Sequence, residues 1–491
     1  MGKYIIGIDQ STQGTKSLLF DENGELLARA DLPHRQIVNE KGWVEHDPEE
    51  FYRNVIQTVR NVVEKAGISK EEIVGAGISN QRETALSWDR EGRPVYNAIV
   101  WQCARGEAIC QRLKAHEAMI KERTGLQLSP YFSAAKLAWI QENVEEAREL
   151  AAKGLLRCGT VDSFLVYRLT GGKVYRTDYS NASRTQLFNI STLSWDEEIC
   201  ALFGISPKLL PEVTDSDGYY GETDFEGFLE RPIPIHGVLG DSHGALFGQG
   251  CLEKGMVKAT YGTGSSVMMN VGEQPVFSQH GVVSSLAWGM NGKVHYVLEG
   301  NINYTGAVIT WLEKDLKLIA SAGETEELAK KAATEDHTYL VPAFTGLGAP
   351  YWDSGAEGIL YGITRTTGKA EVVRAALDCI AYQITDIIRV METDSGIPIR
   401  ALRADGGPTR NEYLMQFQSD IGRIPIQVPK AEELSGIGAA YAAGLGLGLY
   451  SKEELFAKME RKAYEPRMDK READRKYQGW KAAVETVLEK K

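Results

Sequence analysis

Short apolar runs alternate with polar turns over the first thirty residues. Residues 4–8 are apolar, the polar stretch 10–15 follows, and a mostly apolar run returns over 17–20. Apolar runs of this length bounded by turn residues are typical of strands. A turn signal, Asp-Glu-Asn-Gly at 21–24, precedes a third strand predicted over 25–30. The pattern therefore predicts an opening set of strands with a polar hairpin between the first two.

The first helix has a clear start signal. Asp47 can cap it, Pro48 suits the first helical position, and Glu50 completes a pattern like a capping box. The apolar residues that follow recur at helical spacing and predict one buried face: Phe51, Val55, Val59 and Val62.

A related pattern recurs in the second half of the chain. Residues 255–259 predict a strand, 260–266 form a turn of small residues, and 267–271 predict the returning strand. Another strand is predicted over 294–298, and a helix over about 304–318. The two halves therefore look like similar domains that each carry one polar hairpin.

The length of 491 residues is too great for one hydrophobic core. We predict an α/β protein with two domains, residues 1–250 and residues 251–491. The segment 435–450 is rich in glycine and apolar residues and reads as a tightly packed buried helix. The charged tail over 452–491 is predicted to form a surface helix or a pair of helices.

Composition narrows the class of protein. The net charge is −12, which argues against a nucleic-acid binder because phosphate contacts need clustered Lys and Arg. The six cysteines contain no CxxC pair, so neither a zinc site nor a disulfide framework is indicated. The start carries no secretory signal, and no uncharged apolar run reaches about 18 residues, the length of a membrane span. We expect a cytoplasmic protein without membrane insertion.

The first hairpin carries candidate chemistry. Its glycine and hydroxyl residues let backbone N–H groups approach an anion closely. Lys16 is suited to neutralise a phosphate oxygen, and Asp9 to hold a hydrated Mg²⁺. The alternative is a plain surface β-turn, and this segment alone does not decide between them.

Two further glycine-rich turns strengthen the phosphate interpretation. Gly262, Thr263 and Gly264 form a second loop that is rich in hydroxyls and poor in side chains. The Asp-Gly-Gly triplet at 405–407 permits close approach of a flat ligand such as an adenine, although such a triplet alone is usually a turn.

Asp241 follows a predicted strand over 235–239 and precedes a helix rich in glycine and alanine. A carboxylate at this junction is well placed to accept a proton from an attacking hydroxyl. The commoner role of Asp before a helix is the N-cap, and the sequence alone favours that alternative.

Several longer motifs resemble the FGGY carbohydrate kinase family, in particular its glycerol kinase branch. The similarity extends over essentially the whole chain. The motifs are GWVEHDP at 42–48, SNQRET at 79–84, AIVWQC at 98–103, PYFSAAKLAW at 130–139, TDYSNASRT at 177–185, TYGTG at 260–264, FTGLGAPYWD at 344–353, DGG at 405–407 and LMQFQSD at 414–420.

The resemblance implies two actin/hexokinase/Hsp70-like (ribonuclease H-like) domains that face a central cleft. It also implies transfer of the γ-phosphoryl group of ATP, with Mg²⁺, to a primary hydroxyl of a small polyol, with glycerol as first choice. Asp241 would be the general base, and Asp9 would hold the metal through water, with Asp241 also near it. The implied polyol pocket contains Arg82, Glu83, Trp101, Tyr131, Asp241, Ser242 and Ser266. The implied nucleotide site contains Thr12, Lys16, Thr263, Gly264, Gly306, Thr310, Gly407 and Asn411.

The match to glycerol kinases breaks at four positions. Ser242 stands where Gln is usual and Ser266 where Phe is usual, while Lys16 replaces Arg and Thr310 replaces Gln. Losing a hydrogen bond costs about 0.5–1.5 kcal/mol and losing a buried Phe contact about 1.5–3 kcal/mol. The two serines predict a larger, more polar pocket, so an FGGY kinase for a longer C4–C5 polyol or ketose is the alternative.

A function of another class is a non-metabolic ATPase of the same superfold, such as an actin-like polymer or a chaperone. The pocket residues Arg82, Glu83, Trp101 and Tyr131 argue against it, because such proteins need no hydroxyl-reading pocket. Related enzymes imply a homodimer or homotetramer, although no interface can be read from the sequence.

Overall fold

The computed structural model describes residues 2–488. Residue 1 of the first predicted domain and residues 489–491 of the second lie outside the described residues. Numbered along the chain, the strands are β1 (Tyr4–Gln10), β2 (Gly14–Phe20), β3 (Leu26–Pro33), β4 (Ile37–Val38), β5 (Val44–His46), β6 (Ile73–Asn80), β7 (Ala85–Trp88), β8 (Ala98–Ile99), β9 (Arg157–Thr160), β10 (Arg176–Asp178), β11 (Phe188–Asn189), β12 (Ser194–Trp195), β13 (Glu212–Thr214), β14 (Glu222–Thr223), β15 (Ile233–Gly240), β16 (Val257–Tyr261), β17 (Ser265–Gly272), β18 (Val283–Met290), β19 (Lys293–Ile302), β20 (Tyr339–Val341), β21 (Ile359–Tyr361), β22 (Leu402–Asp405), β23 (Ile426–Pro429) and β24 (Arg461–Tyr464).

The helices are α1 (Pro48–Ala66), α2 (Glu107–Arg112), α3 (Glu117–Thr124), α4 (Ser133–Asn143), α5 (Glu145–Ala152), α6 (Val161–Leu169), α7 (Tyr179–Ala182), α8 (Glu197–Leu202), α9 (Asp241–Gly248), α10 (Gly306–Thr310), α11 (Glu324–Lys331), α12 (Lys369–Ser395), α13 (Glu412–Gly422), α14 (Leu434–Gly446), α15 (Lys452–Ala457) and α16 (Lys470–Leu488). A π-helical turn, Trp311–Asp315, continues α10.

The first sheet has the strand order β14-β15-β6-β1-β2-β3. Strand β1 runs antiparallel to β2 but parallel to β6, and β6 is parallel to β15. In this register Gln10 faces Asn80, and Asn80 faces Gly240. Three parallel strands therefore end at the same edge of the sheet, where open α/β sheets place their ligands.

The second sheet repeats this arrangement in the order β18-β19-β17-β16-β22-β23-β24. Strand β16 is antiparallel to β17 and parallel to β22, and Thr260 faces Asp405 at the end of the parallel pair. The second hairpin and the Asp-Gly-Gly turn therefore lie at one edge. Two sheets with the same local plan, each with helices packed against it, match the predicted α/β architecture.

Helix α14 comes from the second half of the chain but packs against β1, β6 and β15 of the first sheet and against α9. The prediction of a buried helix here is confirmed, because α14 is buried from Gly436 to Gly444. Glycines permit the close approach. A Cβ on Gly438 would lie 1.9 Å from the carbonyl oxygen of Gly244 in α9. The boundary at residue 250 stays a prediction, since the chain returns to the first sheet after it.

Helix α1 begins as its sequence indicates, except for one contact. Asp47 lies at the N-cap, and its Oδ1 accepts from the backbone N–H of Glu49 at 2.9 Å. The capping-box role predicted for Glu50 is wrong: its carboxylate accepts from the backbone N–H of Arg35 at 3.1 Å.

The charged tail differs from its prediction as a surface helix or helix pair. It contains α15, the strand β24 at the edge of the second sheet, and α16. Trp480 of α16 is fully buried, stacks on Tyr382 at 5.3 Å and donates to Asp386 at 2.8 Å. The tail is therefore part of the core of the second half. Of the helices within residues 2–488, none is long and apolar enough to cross a membrane.

Candidate active site

Asp241 is the first residue of α9, directly after β15. The N-cap position belongs to Gly240, and the N-cap role that the sequence favoured for Asp241 is therefore wrong. Oδ1 of Asp241 instead accepts from the backbone N–H of Ser242 at 2.6 Å and lies 3.2 Å from Nε of Arg82. A Cβ on Gly240 would lie 2.7 Å from Cγ of Arg82, so glycine makes room for this arginine.

Arg82 and Glu83 lie in the loop after β6 and enter a buried network of charges. Nη1 and Nη2 of Arg82 donate to the two carboxylate oxygens of Glu299 at 2.9 and 2.8 Å. Nε of Arg184 donates to Glu83 at 2.5 Å, and its Nη1 lies 2.9 Å from Glu299. Glu83 adopts a left-handed φ of 60°, uncommon for a residue with a side chain. Two arginines and two glutamates therefore balance their charges beside Asp241.

Sequence reasoning did not single out Glu299. It lies on β19 with 1% of its surface exposed, directly after the buried residues Val297 and Leu298. A single carboxylate inside an apolar strand pattern was the available signal, because an isolated buried charge is too costly to occur without a partner.

Trp101 and Tyr131 form an aromatic wall, with ring centroids 5.6 Å apart. The indole N–H of Trp101 donates to the hydroxyl of Thr12 at 2.9 Å. Thr12, which is predicted at the nucleotide, therefore also contacts a residue predicted for the polyol pocket. Lys136 fixes the loop that carries Tyr131, since its ammonium donates to the carbonyls of Pro130, Tyr131 and Phe132. Burial lowers the pKa of Lys136 to about 7.

The two serines that depart from the glycerol kinase pattern both lie at this cluster. Ser242 follows Asp241 at the start of α9, and Ser266 lies on β17 opposite Thr260. The hydroxyl of Ser266 donates to Oε1 of Glu299 at 3.3 Å. The structure therefore brings together Asp241, both serines and Arg82 at the predicted pocket.

A cavity of about 650 Å³ opens next to this cluster. It brings together the ends of both sheets, with residues from the first hairpin, from β16 and from the Asp-Gly-Gly turn. Its lining includes Asp9, Lys16, Thr260, Asp405, Gly406, Gly407, Thr409, Arg410, Lys430, Glu433 and Lys462. Gly406 has a φ of 98°, and a Cβ there would lie 2.0 Å from the carbonyl oxygen of Tyr261, so this turn requires glycine.

The other residues predicted for the nucleotide site lie around the second hairpin. The N–H of Gly306 donates to the carbonyl of Gly262 at 2.9 Å, so the hairpin with Thr263 and Gly264 rests on the start of α10. Thr310 lies one turn further along α10, and its hydroxyl donates to the Gly306 carbonyl at 3.3 Å. None of these four residues is among the side chains that line the 650 Å³ cavity.

Asn411 has structural contacts of its own. Its side chain caps α13 by accepting from the N–H of Leu414 at 2.9 Å, and it donates to Thr325 at 3.1 Å. A nucleotide contact for Asn411 and for the second-hairpin residues stays a prediction.

Lys16 reaches the cavity but is ion-paired there. Its ammonium lies 2.5 Å from Glu433, whose other carboxylate oxygen accepts from Arg29 at 2.5 Å. Glu433 precedes α14 with a left-handed φ of 62°. A phosphate at Lys16 must therefore exchange with, or be added beside, the Glu433 carboxylate.

Asp9 has the properties of a metal-binding carboxylate. Its Oδ1 is buried and has no hydrogen-bond partner among residues 2–488. Burial raises the pKa of Asp9 to about 6; Lys16 opposes this and Asp241 adds to it. The described residues contain no group of three or more His, Cys, Asp or Glu arranged to hold a metal by themselves. Mg²⁺ is usually held by one or two carboxylates, with waters and phosphate oxygens completing the shell, so Asp9 and Asp241 fit it.

Comparison with known proteins places this geometry among relatives. Two family models match, the N-terminal domain of the FGGY family of carbohydrate kinases over residues 4–248 and its C-terminal domain over residues 257–447. Glycerol kinase 2 of Thermotoga maritima is 48% identical over 491 residues, which covers 99% of both chains. Glycerol kinase of Alkaliphilus oremlandii is 48% identical over 99% of this chain and 98% of its own.

Solved structures agree over the whole length. The Plasmodium falciparum glycerol kinase crystallised with ADP superposes with a TM-score of 0.93 at 36% identity and covers 99% of this chain and 98% of its own. A gluconate kinase from Lactobacillus acidophilus superposes with a TM-score of 0.89 at 23% identity, over 99% of this chain and 98% of its own. The latter match concerns the fold alone.

Proposed function

The chain belongs to the FGGY family of carbohydrate kinases, and from this premise we propose that it phosphorylates a primary hydroxyl of glycerol to give glycerol 3-phosphate. It is an ATP-dependent kinase of the polyol type with the two-domain α/β fold of that family. The observation that supports glycerol most directly is that Nε of Arg82 lies 3.2 Å from Asp241, while Tyr131, which packs on Trp101, interacts electrostatically with both Glu83 and Arg82.

The pocket chemistry suits a short polyol. Arg82 donates and Glu83 accepts, so together they can read adjacent hydroxyls, and the rings of Trp101 and Tyr131 offer an apolar face to the C–H groups. The buried charges are already paired before substrate arrives. Hydroxyls that bind there meet donors and acceptors in fixed positions, which limits the ordering that binding requires.

Asp241 would act as the general base. Its Oδ1 contacts the N–H of Ser242 and Nε of Arg82, which fixes the carboxylate plane and leaves Oδ2 to accept the proton of the attacking hydroxyl. The hydroxyl oxygen then bonds to the γ-phosphorus of ATP, and the bond from that phosphorus to the β–γ bridging oxygen breaks to release ADP. Phosphoryl transfer depends mainly on positioning and charge stabilisation, so one base and fixed cations suffice.

On the nucleotide side we assign Thr12, Lys16 and the backbone N–H groups of the two hairpins to the phosphates. Gly407 would lie against the base. Mg²⁺, held by Asp9 with Asp241 nearby, would supply charge neutralisation at the β- and γ-phosphate oxygens when bound. The orphaned Oδ1 of Asp9 supports this assignment.

A longer C4–C5 polyol or ketose is the second candidate substrate. Ser242 and Ser266 both lie at the pocket, and the Ser266 hydroxyl already reaches the buried Glu299. A Phe at position 266 would occupy this space. The serines therefore favour a substrate with one or two additional hydroxyl-bearing carbons.

Steady-state kinetics test both candidates. The purified chain, assayed with ATP and Mg²⁺, should release ADP only when a polyol is present, with the highest kcat/KM for glycerol. A higher kcat/KM for any C4 or C5 polyol or ketose would assign the substrate to the second candidate, and ADP release without polyol would indicate a simple ATPase.

Asp241→Asn should abolish transfer and leave ATP binding by calorimetry nearly unchanged; full activity in this variant would refute the base assignment. The oligomeric state, a homodimer or homotetramer, and the cytoplasmic location stay predictions.

A further inference from the structure

Glu299 connects the two halves of the molecule at the site. It lies on β19 of the second sheet, where it faces Met268 of β17 and Val283 of β18. Its side chain has no exposed surface and points to arginines from the first half, Arg82 and Arg184. Arg82, which we assign to the polyol, is therefore held in place by a carboxylate from the second sheet.

The hydrogen bonds fix more than the position of Arg82. A guanidinium has five N–H donors in one rigid plane. Two of them, one on each Nη, are used by the carboxylate of Glu299 at 2.9 and 2.8 Å. Nε faces Oδ1 of Asp241 at 3.2 Å. One N–H on each Nη remains, and its direction is set because the paired bonds prevent rotation of the plane.

Burying the carboxylate of Glu299 costs solvation free energy, so its position calls for a compensating role. A carboxylate removed from water loses favourable solvation, and replacing a buried ion pair by hydrophobic residues of similar volume often leaves stability equal or greater. Burial raises the pKa of Glu299, but Arg184 and Arg82 outweigh it and lower the pKa well below its usual range. The group is therefore an ionised carboxylate enclosed by two cations that belong to the other half.

We propose that Glu299 is a positioning residue for phosphoryl transfer: it orients Arg82 between the polyol hydroxyls and Asp241, and so assembles the polyol pocket only when the two halves meet. This inference rests on the proposed polyol kinase function. Arg82 contacts the substrate, whereas Glu299 acts through Arg82 and contacts no substrate atom. The Ser266 hydroxyl donates to Oε1 of the same carboxylate at 3.3 Å. Ser266, one of the two serines that depart from the glycerol kinase pattern, is therefore connected to Arg82 through Glu299.

The competing explanation is charge balance alone. Under it, Glu299 would serve only to neutralise Arg82 and Arg184, and its loss would lower stability without a selective effect on the polyol. A double-mutant cycle separates the two explanations, because residues that act through one another are not additive.

The experiment uses the full chain with ATP, Mg²⁺ and glycerol, and compares Glu299→Gln, Arg82→Ala and the double variant. We expect Glu299→Gln to lower kcat/KM for the polyol by about 100-fold, the effect of misplacing a binding group by about 1 Å, with KM for ATP little changed. In the Arg82→Ala background, Glu299→Gln should add almost nothing. Asp336→Asn is the matched control, since it removes the charge of a buried carboxylate that lies 3.1 Å from Arg374, and neither residue lines the 650 Å³ cavity.

Each outcome bears on the proposal. Additive losses in the cycle, or losses in Glu299→Gln that match those of Asp336→Asn, would overturn it. Glu299→Asp keeps the charge with a shorter reach and serves if Glu299→Gln does not fold; parent-like polyol kcat/KM in a folded Glu299→Asp protein would also overturn it. A parent chain that phosphorylates a longer polyol but not glycerol changes only the substrate, and the cycle is run with that polyol. A parent chain inactive on every polyol refutes the proposed function and this inference together.

Discussion

Gly438→Ala should disturb the active site without touching it. Gly438 lies in α14, where it crosses α9, and α9 begins with Asp241. A Cβ at Gly438 would lie 1.9 Å from the carbonyl oxygen of Gly244 and 2.6 Å from its carbonyl carbon. Both are backbone atoms, so no side-chain rotation can relieve the overlap.

The size of the effect follows from these distances. Ordinary contact for a Cβ begins at 3.4 Å, so the helices must separate by about 1.5 Å, the difference between 3.4 and 1.9 Å. Overpacking of a well-packed contact costs about 1–3 kcal/mol and occasionally more. A shift of about 1 Å in α9, the helix that carries the proposed base Asp241, would cost about 100-fold in rate. We therefore expect loss of both stability and kcat, with the loss of kcat exceeding what unfolding explains.

Chemical denaturation and steady-state kinetics on the same preparations measure the two effects. Gly323→Ala is the matched control, because a Cβ there meets only Oγ of Ser321 at 3.6 Å and its backbone is right-handed. The control should retain parent stability and kcat. A Gly438→Ala protein with parent kcat, at protein concentrations corrected for the folded fraction, would show that the packing of α14 on α9 does not determine the position of Asp241.

Three further predictions concern the pocket, pH and the nucleotide. Ser266→Phe should lower kcat/KM for C4–C5 polyols relative to glycerol by about 10- to 100-fold, because the Phe side chain fills the space that a longer polyol needs and its burial is worth about 1.5–3 kcal/mol. An unchanged ratio of the two kcat/KM values in paired kinetic assays would contradict this. Burial lowers the pKa of His46 to about 4 and, together with His46, that of His34 to about 4. Between about pH 6.5 and 4 the unfolded chain therefore binds more protons than the folded chain. The contribution of these histidines to the free energy of unfolding should be full above this window and should decrease as pH falls through it, by roughly 3 kcal/mol per histidine. His46→Phe should flatten the curve of unfolding free energy against pH by about half, and the same slope in the variant would refute the assignment. Glu433→Gln should free Lys16 and tighten ADP binding in calorimetry by about 2- to 5-fold, the worth of a partly exposed pair; weaker binding would instead make Glu433 a support for Lys16.

The local part of the fold could be predicted from the sequence. The opening strands, the cap at Asp47 and the strand before Asp241 all depend on residues close in the chain, and the structure has them within a few residues of their predicted bounds. Glycine signals were equally local: Gly406 adopts the positive φ that its turn requires.

The long-range part could not be predicted in the same way. No turn signal in the sequence identified β18 or β24 as strands. Strand β24 pairs with β23, which lies about 30 residues earlier in the chain. The pairing of Glu299 with Arg82 spans 217 residues, so no periodicity relates them. Asp241 shows a related limit, because only the backbone conformation of the folded chain reveals that the helix already begins at Asp241 and that Gly240 takes the N-cap position.

Charged side chains of both signs line the 650 Å³ cavity that we propose for the nucleotide. The four cations that line it are each ion-paired with a glutamate: Lys16 with Glu433, Arg410 with Glu432, Lys430 with Glu460, and Lys462 with Glu412. Partly exposed pairs of this kind are worth about 0–1 kcal/mol, so a phosphate can replace a carboxylate at little cost. Before nucleotide binds, these four pairs carry no net charge, and the net charge of −12 over the whole chain need not repel ATP there. Selectivity for the triphosphate would then come from the glycine-rich turns and from Asp9 and Asp241, the carboxylates proposed to hold Mg²⁺, and not from the paired cations.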